Sequence, residues 1–139
     1  MLKAATHIHF DGRCSEAFKF YEKCLGGKTT FTMTWGDSPM GKSMPVEWSH
    51  KILHARFEFG TQFFTADDPP PKFYSKPQGL EVLLLFNDPE KAAKVYDLLS
   101  ENATEIRMPF AKTFWSPGFG QFVDQFGVPW MINCEPSEG

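Results

Sequence analysis

The spacing of apolar residues changes period along the chain in an order that occurs twice. Ile8 and Phe10 alternate with His7 and His9, the period of a strand, over residues 5–10. From about Arg13 to Leu25, Ala17, Phe18, Tyr21 and Leu25 fall at helical spacing, and Gly26-Gly27 closes that helix with the left-handed position a Cβ would penalise. Thr29 to Trp35, β-branched and aromatic, predicts a second strand. Ile52 to Phe59 predicts a third, with Leu53, Ala55, Phe57 and Phe59 on one face and His54, Arg56 and Glu58 on the other. Gln62 to Ala66 predicts a fourth. Asp67-Asp68-Pro69-Pro70-Pro71 then breaks the pattern and, with Lys72 to Gly79, forms a linker. Leu80 to Phe86 is nearly all apolar, which predicts a strand buried on both faces. Asp88-Pro89 opens a helix, an acid at the N-cap before proline at N1, running to about Ser100 with Ala92, Val95, Tyr96 and Leu99 inward. Glu105 to Phe110 predicts another strand. Gly120 to Asp124 and Pro129 to Asn133 then form a hairpin turning at Phe126-Gly127.

The two halves match in detail. Phe59-Gly60 lines up with Phe126-Gly127, and Phe63-Phe64 with Trp130-Met131. Phe10-Asp11-Gly12 precedes a segment ending in Tyr21, as Phe86-Asn87-Asp88 precedes one ending in Tyr96. The expectation is an α+β fold of two tandem βαβββ modules, residues 1–70 and 79–135, making one domain across a Pro-rich linker. Composition narrows the function. A net charge of -3 and the lack of a basic patch argue against nucleic acid as a partner. No apolar run approaches the roughly 20 residues of a membrane span, and Met1 to His7 lacks the apolar core of a signal peptide. Three cysteines, Cys14, Cys24 and Cys134, form no paired pattern. They predict free thiols in a cytoplasmic protein rather than disulfides or a Cys-x-x-Cys zinc site. Cys14 opens a helix, so its thiol is either activated there or buried and inert.

Several blocks carry a family resemblance. They are Phe10-Asp11-Gly12 with Glu16-Ala17 and Phe20-Tyr21; Ile52-Leu53-His54-Ala55; Ala66-Asp67; Met108-Pro109; and Phe114-Trp115 through Asp124-Gln125-Phe126-Gly127-Val128-Pro129-Trp130-Met131-Ile132-Asn133. Together these span essentially the whole chain. The sequence resembles the vicinal oxygen chelate superfamily of glyoxalases, bleomycin resistance proteins and dioxygenases. Within it the chain is similar to the PhnB-like subfamily, often labelled "3-demethylubiquinone methyltransferase-like". The resemblance implies mixed sheets curled around a cleft, a small-molecule ligand and a homodimer. The methyltransferase label finds no support, because no glycine-rich strand-to-helix turn with a following acid is present to hold a nucleotide-like cofactor.

In metal-dependent members of that superfamily, ligands come from the first and last strands of each module, and a divalent ion acts there as a Lewis acid. Carried over, the first-strand positions fall at Thr6 or His7 and at Glu81 or Val82, and the last-strand positions near Phe64 and at Met131. Only His7 and Glu81 among these suit a divalent ion, so a metal cofactor is not assured. His7 and His9 share one side of their strand, as a ligand pair or as an exposed doublet. The expected ligand-binding residues are His54 and Arg56 on the polar face of the third strand, Asp67 after the fourth, and Trp115. Asp67 turns into the cleft or caps the turn, and Trp115 stacks on a ligand or, the stronger reading, fills core. His50 is expected to face water and Glu135 to lie near the cleft mouth. Gly36 to His50, with Met40, Met44 and Trp48, is a lid or a mobile surface loop. No catalytic residue can be assigned. Three readings stand: a small-molecule-binding protein without a standard metal site, a metal-dependent lyase, isomerase or dioxygenase with non-standard ligands such as His7, His54 and Glu81, and a structural dimer module. The last requires a cleft plugged by Phe64, Trp130, Met131 and the long loop.

Overall fold

The structure, a computed structural model, describes residues 1–136; the sequence ends in a short polar tail, Pro136 to Gly139, most of which lies outside the described residues. The fold is α+β. In chain order the elements are β1 (Thr6–His9), α1 (Cys14–Leu25), β2 (Lys28–Thr34), β3 (Ile52–Phe59), β4 (Gln62–Asp67), β5 (Val82–Phe86), α2 (Pro89–Leu99), β6 (Glu105–Ala111), β7 (Gly118–Val123) and β8 (Pro129–Cys134). The chain separates into two compact units between Lys76 and Pro77. Each holds one helix and one 4-stranded sheet, ordered β1-β4-β3-β2 and β5-β8-β7-β6. The first strand of each unit pairs parallel with the last, and the other pairs are antiparallel. This is the βαβββ order, twice.

In the first unit, α1 ends at Gly26, whose φ of 70° is the left-handed conformation that glycine takes without strain. Its apolar stripe packs on one face of the sheet. Phe18 meets Phe57 and Phe64 edge-on, and those two rings stack at 5.0 Å. The buried carboxylate of Asp68 ties the unit together, accepting from the backbone N–H groups of Gly12, Cys14 and Ile52. Burial pushes its carboxyl above the ordinary range even though these three donors pull the other way. The Cys14 thiol is buried beside it and is driven far up by burial, then by the charge of Asp68. An activated Cys14 is therefore ruled out, because desolvation outweighs any pull from the helix end. The segment from Gly36 to His50 is folded through two short 3-10 turns, Gly41–Ser43 and Val46–Trp48. It docks near the Gly12 turn, where Trp48 lies against Gly12 and Lys51 Nζ donates to the Gly12 carbonyl at 2.7 Å.

In the second unit, Asp88 caps α2 by accepting from the Glu90 N–H. Tyr96 on that helix meets Phe122 edge-on and lies so close to Gly120 that a Cβ there would sit 2.7 Å from its ring. The hairpin between β7 and β8 turns at Gly127, with φ of 88°. Asp124, fully buried, stabilises the turn by accepting from the N–H groups of Phe126 and Val128 and from the Trp130 indole.

Three expectations are corrected here. β5 is not buried on both faces: Leu83 is 48% and Leu85 56% exposed, because a helix covers only the side that Leu84 faces. Phe64 and Trp130 plug no cleft, since strand alternation sends both to the helix side, where they are core at 2% and 0% exposure. The halves also align one residue differently from the sequence match. Phe64 pairs with Thr6 as Trp130 pairs with Val82, which makes Thr65 the counterpart of Met131.

Candidate functional site

The face of each sheet turned away from its helix carries the chemically interesting side chains. On the first sheet, His7 and His9 from β1, Thr65 and Asp67 from β4, His54 and Arg56 from β3, and Phe31 and Met33 from β2 all share this face, as register and alternation require. Phe31 and Met33 are 45% and 38% exposed, an apolar margin beside the polar groups.

Asp67 stands at the end of β4, directly opposite His9 on the parallel strand. An ionised carboxylate only accepts, so the imidazoles facing it hold their protons towards it. His9 Nδ1 lies 2.5 Å and His7 Nε2 3.3 Å from the same oxygen, Asp67 Oδ1. The other nitrogen of His7, Nδ1, is hydrogen-bonded with the Thr65 hydroxyl at 2.6 Å. Partial burial raises the Asp67 carboxyl, but the hydrogen bonds from His7 and His9 and their charges outweigh it and hold the group below its ordinary value. The turn-capping alternative for Asp67 belongs to its neighbour, since Asp68 is the residue that binds the turn.

His54 is exposed and lies parallel to the His7 ring, with centroids 5.9 Å apart, and 6.0 Å from the ring of Phe31. The Arg56 guanidinium sits 3.8 Å from the Phe63 ring centre, and its Nε donates to Glu58 at 3.0 Å. The first unit thus brings His7, His54, Arg56 and Asp67 to one face. His9, weighed in the sequence only as half of a doublet, belongs with them. The signal for it was present: two strand positions apart means one side of the sheet.

On the second sheet, the equivalent face carries Glu81, Leu83 and Leu85 beside Met131, Asn133, Gln121 and Phe119. Trp115 packs its ring edge-on against Phe119 at 5.3 Å and remains 45% exposed, so the core reading of Trp115 is corrected. The apolar space on the helix side is already filled by Tyr96, Phe122 and Trp130, and Trp115 precedes β7 on a loop. Glu81 lies just before β5 and accepts from Gln121 Nε2 at 2.7 Å through Oε1. Among the described residues, its Oε2 and the Oδ1 of Asn133 are buried without a hydrogen-bond partner. Buried polar atoms are normally paired, so two lone acceptors on one face mark it as unusual.

Two mixed sheets with the βαβββ order, each with one face turned away from its helix, define a class of protein. Residues 6–132 match the Glyoxalase/Bleomycin resistance protein/Dioxygenase superfamily, and the chain belongs to it. It is similar to protein YjdN of Escherichia coli (strain K12), with 29% identity across 93% of this chain and 92% of that protein. Among solved structures it resembles protein PA1353 from Pseudomonas aeruginosa, at 36% identity and a TM-score of 0.88, covering 99% of this chain and 100% of that one. It shares its fold with a protein from Bacillus cereus described as a putative 3-demethylubiquinone-9 3-methyltransferase, PhnB protein, with a TM-score of 0.77, 23% identity and coverage of 96% and 99%. No helix among the described residues is long and apolar enough to cross a membrane.

The divalent ion used by metal-dependent members of the superfamily can be tested against the donors present. The strand register puts Thr65, not Phe64, beside His7, and Met131 beside Leu83. A neutral hydroxyl and a thioether are poor partners for a divalent ion that prefers imidazole and carboxylate. Of the four, only His7 and Glu81 offer an imidazole or a carboxylate, fewer than the three protein ligands a catalytic site uses. The four inherited positions do not fit that ion.

Proposed function

We propose that this chain is a PhnB-like small-molecule-binding protein that works without the four-position metal centre of its superfamily. The observation carrying this reading is the pair of unpartnered acceptors, Glu81 Oε2 and Asn133 Oδ1. They lie on a face otherwise made of Leu83, Leu85, Met131 and the Phe119–Trp115 pair. Ligand sites are commonly apolar with a few fixed polar groups, and a stranded acceptor costs about 1–3 kcal/mol until a donor reaches it. The ligand class is therefore an apolar, aromatic-compatible molecule bearing N–H or O–H donors. Trp115, on the same unit as these acceptors, is assigned to contact it, and His54, Arg56 and Asp67 are proposed separately as ligand-contacting residues of the first unit's open face. Three buried free cysteines support a reducing, cytoplasmic setting. One domain made of both units and a homodimeric state complete the proposal.

The test is a thermal-shift screen of amine-, amide- and hydroxyl-bearing aromatic compounds, because binding to the native state raises its melting temperature. At 100-fold excess over Kd the gain is about 2.7 kcal/mol. Hits are expected to lose at least tenfold in affinity in Trp115→Ala while the unliganded protein melts as before. A library without a single stabilising compound, or hits indifferent to Trp115 and to Glu81→Gln alike, overturns the reading.

A further inference from the structure

The first unit alone assembles a donor set that the inherited four positions do not contain. His7, His9 and Asp67 each offer a ligand atom within 4.8 Å of the other two, and Asp67 Oδ1 faces both His7 Nε2 and His9 Nδ1. We propose that His7, His9 and Asp67 form a binding site for a first-row divalent ion.

Donor chemistry narrows the class of ion. Two imidazoles and one carboxylate suit zinc, nickel, copper or iron, whereas magnesium and calcium prefer all-oxygen sets. Three protein ligands leave coordination positions open to a water or an exogenous oxygen.

The backbone fixes the set. His7 and His9 are two residues apart on β1 and so project from the same side, and Asp67 is the register partner of His9 on β4. Two hydrogen-bonded strands hold donors more rigidly than loops do. Bonds of about 2.0–2.1 Å to a tetrahedral ion put neighbouring donor atoms about 3.3 Å apart. The His7–Asp67 separation is 3.3 Å already. His9 stands at 2.5 Å and must retreat by less than about 1 Å for such bonds, a small adjustment for a side chain 52% exposed.

Proton positions follow as well. Without an ion, both rings turn an N–H towards Asp67. Binding requires the ligating nitrogen of each ring to be free of its proton, which in a neutral ring moves to the other nitrogen. For His7 that proton arrives on Nδ1, facing the Thr65 oxygen at 2.6 Å. A hydroxyl accepts as readily as it donates, so Thr65 keeps its bond by reversing its role. It thereby orients the ring as outer-shell partners of metal-bound histidines do. The His54 ring lies parallel to that of His7, with centroids 5.9 Å apart.

The site goes beyond the binding reading above and does not depend on it, since it needs only the first unit and no organic ligand. The test uses the full chain without a histidine tag, stripped with chelator and titrated with zinc by calorimetry. Cobalt titration followed by visible absorption reports nitrogen and oxygen ligation. One ion per chain is expected. His9→Ala and Asp67→Asn should each weaken it at least tenfold while their melting curves show a folded protein, and Thr65→Val should weaken it by about tenfold. His50→Ala and Glu81→Gln should leave it unchanged. The absence of saturable binding at one ion per chain overturns the proposal. Binding that survives His9→Ala but is lost in Glu81→Gln also overturns it, by placing the ion at the inherited positions instead.

Discussion

Asp68 and Asp124 do the same job in the two units. Each is a buried carboxylate that accepts from backbone N–H groups, Asp68 from Gly12, Cys14 and Ile52 and Asp124 from its own hairpin turn and the Trp130 indole. Such groups are costly to strand and valuable when fully paired. Asp124→Asn keeps the shape, but turns one accepting oxygen into an NH2 that faces either a backbone N–H or the indole N–H. A loss of about 2 kcal/mol is expected in urea unfolding, within the range for a buried unsatisfied donor. A loss below about 0.5 kcal/mol, typical of a neutral surface change, would refute the role assigned to this carboxylate. Asp67, one residue before Asp68, shows how finely position decides: strand alternation sends Asp67 to the open face and Asp68 to the interior.

At the scale of elements, the helices read cleanly from sequence. The Asp88-Pro89 start and the Gly26 stop stand where expected, because caps and glycine stops act through neighbours in the chain. The strands were legible in existence and nearly in extent, but not in environment. Leu80 to Phe86 reads as buried on both faces, yet only the side facing α2 is covered. The close approach of α2 to β7 was also hidden, because a glycine in a strand does not reveal what lies above it. Gly120→Ala tests that contact. A Cβ 2.7 Å from the Tyr96 ring forces the ring or the helix outward. About 1–3 kcal/mol should be lost, as for other overpacked sites, with the folded circular dichroism spectrum retained. Stability equal to the parent protein would mean that Tyr96 has free space to move into.

For the whole molecule, the expected quaternary state is a homodimer. Each sheet has two edge strands, β1 and β2 in one and β5 and β6 in the other. Unpaired edges and exposed leucines such as Leu83 and Leu85 are surfaces that soluble proteins cover or blunt. Sedimentation equilibrium should return twice the mass of one chain at micromolar concentration. A single-chain mass throughout would remove the dimer and leave the apolar face of the second sheet to a ligand alone.

The order βαβββ, its repetition, the family and the helix limits were all contained in the sequence, because periodicity, capping and turn chemistry are local and survive as patterns. The polar side of β3 was legible for the same reason. What the tertiary structure decided was pairing across strands. Only the register of β1 on β4 reveals that His7 stands beside Thr65 rather than Phe64, and that His9 faces Asp67. Those partners are 58 residues apart in sequence. No local pattern records so distant a neighbour, and a one-residue shift in register would send each of these side chains to the opposite face of the sheet.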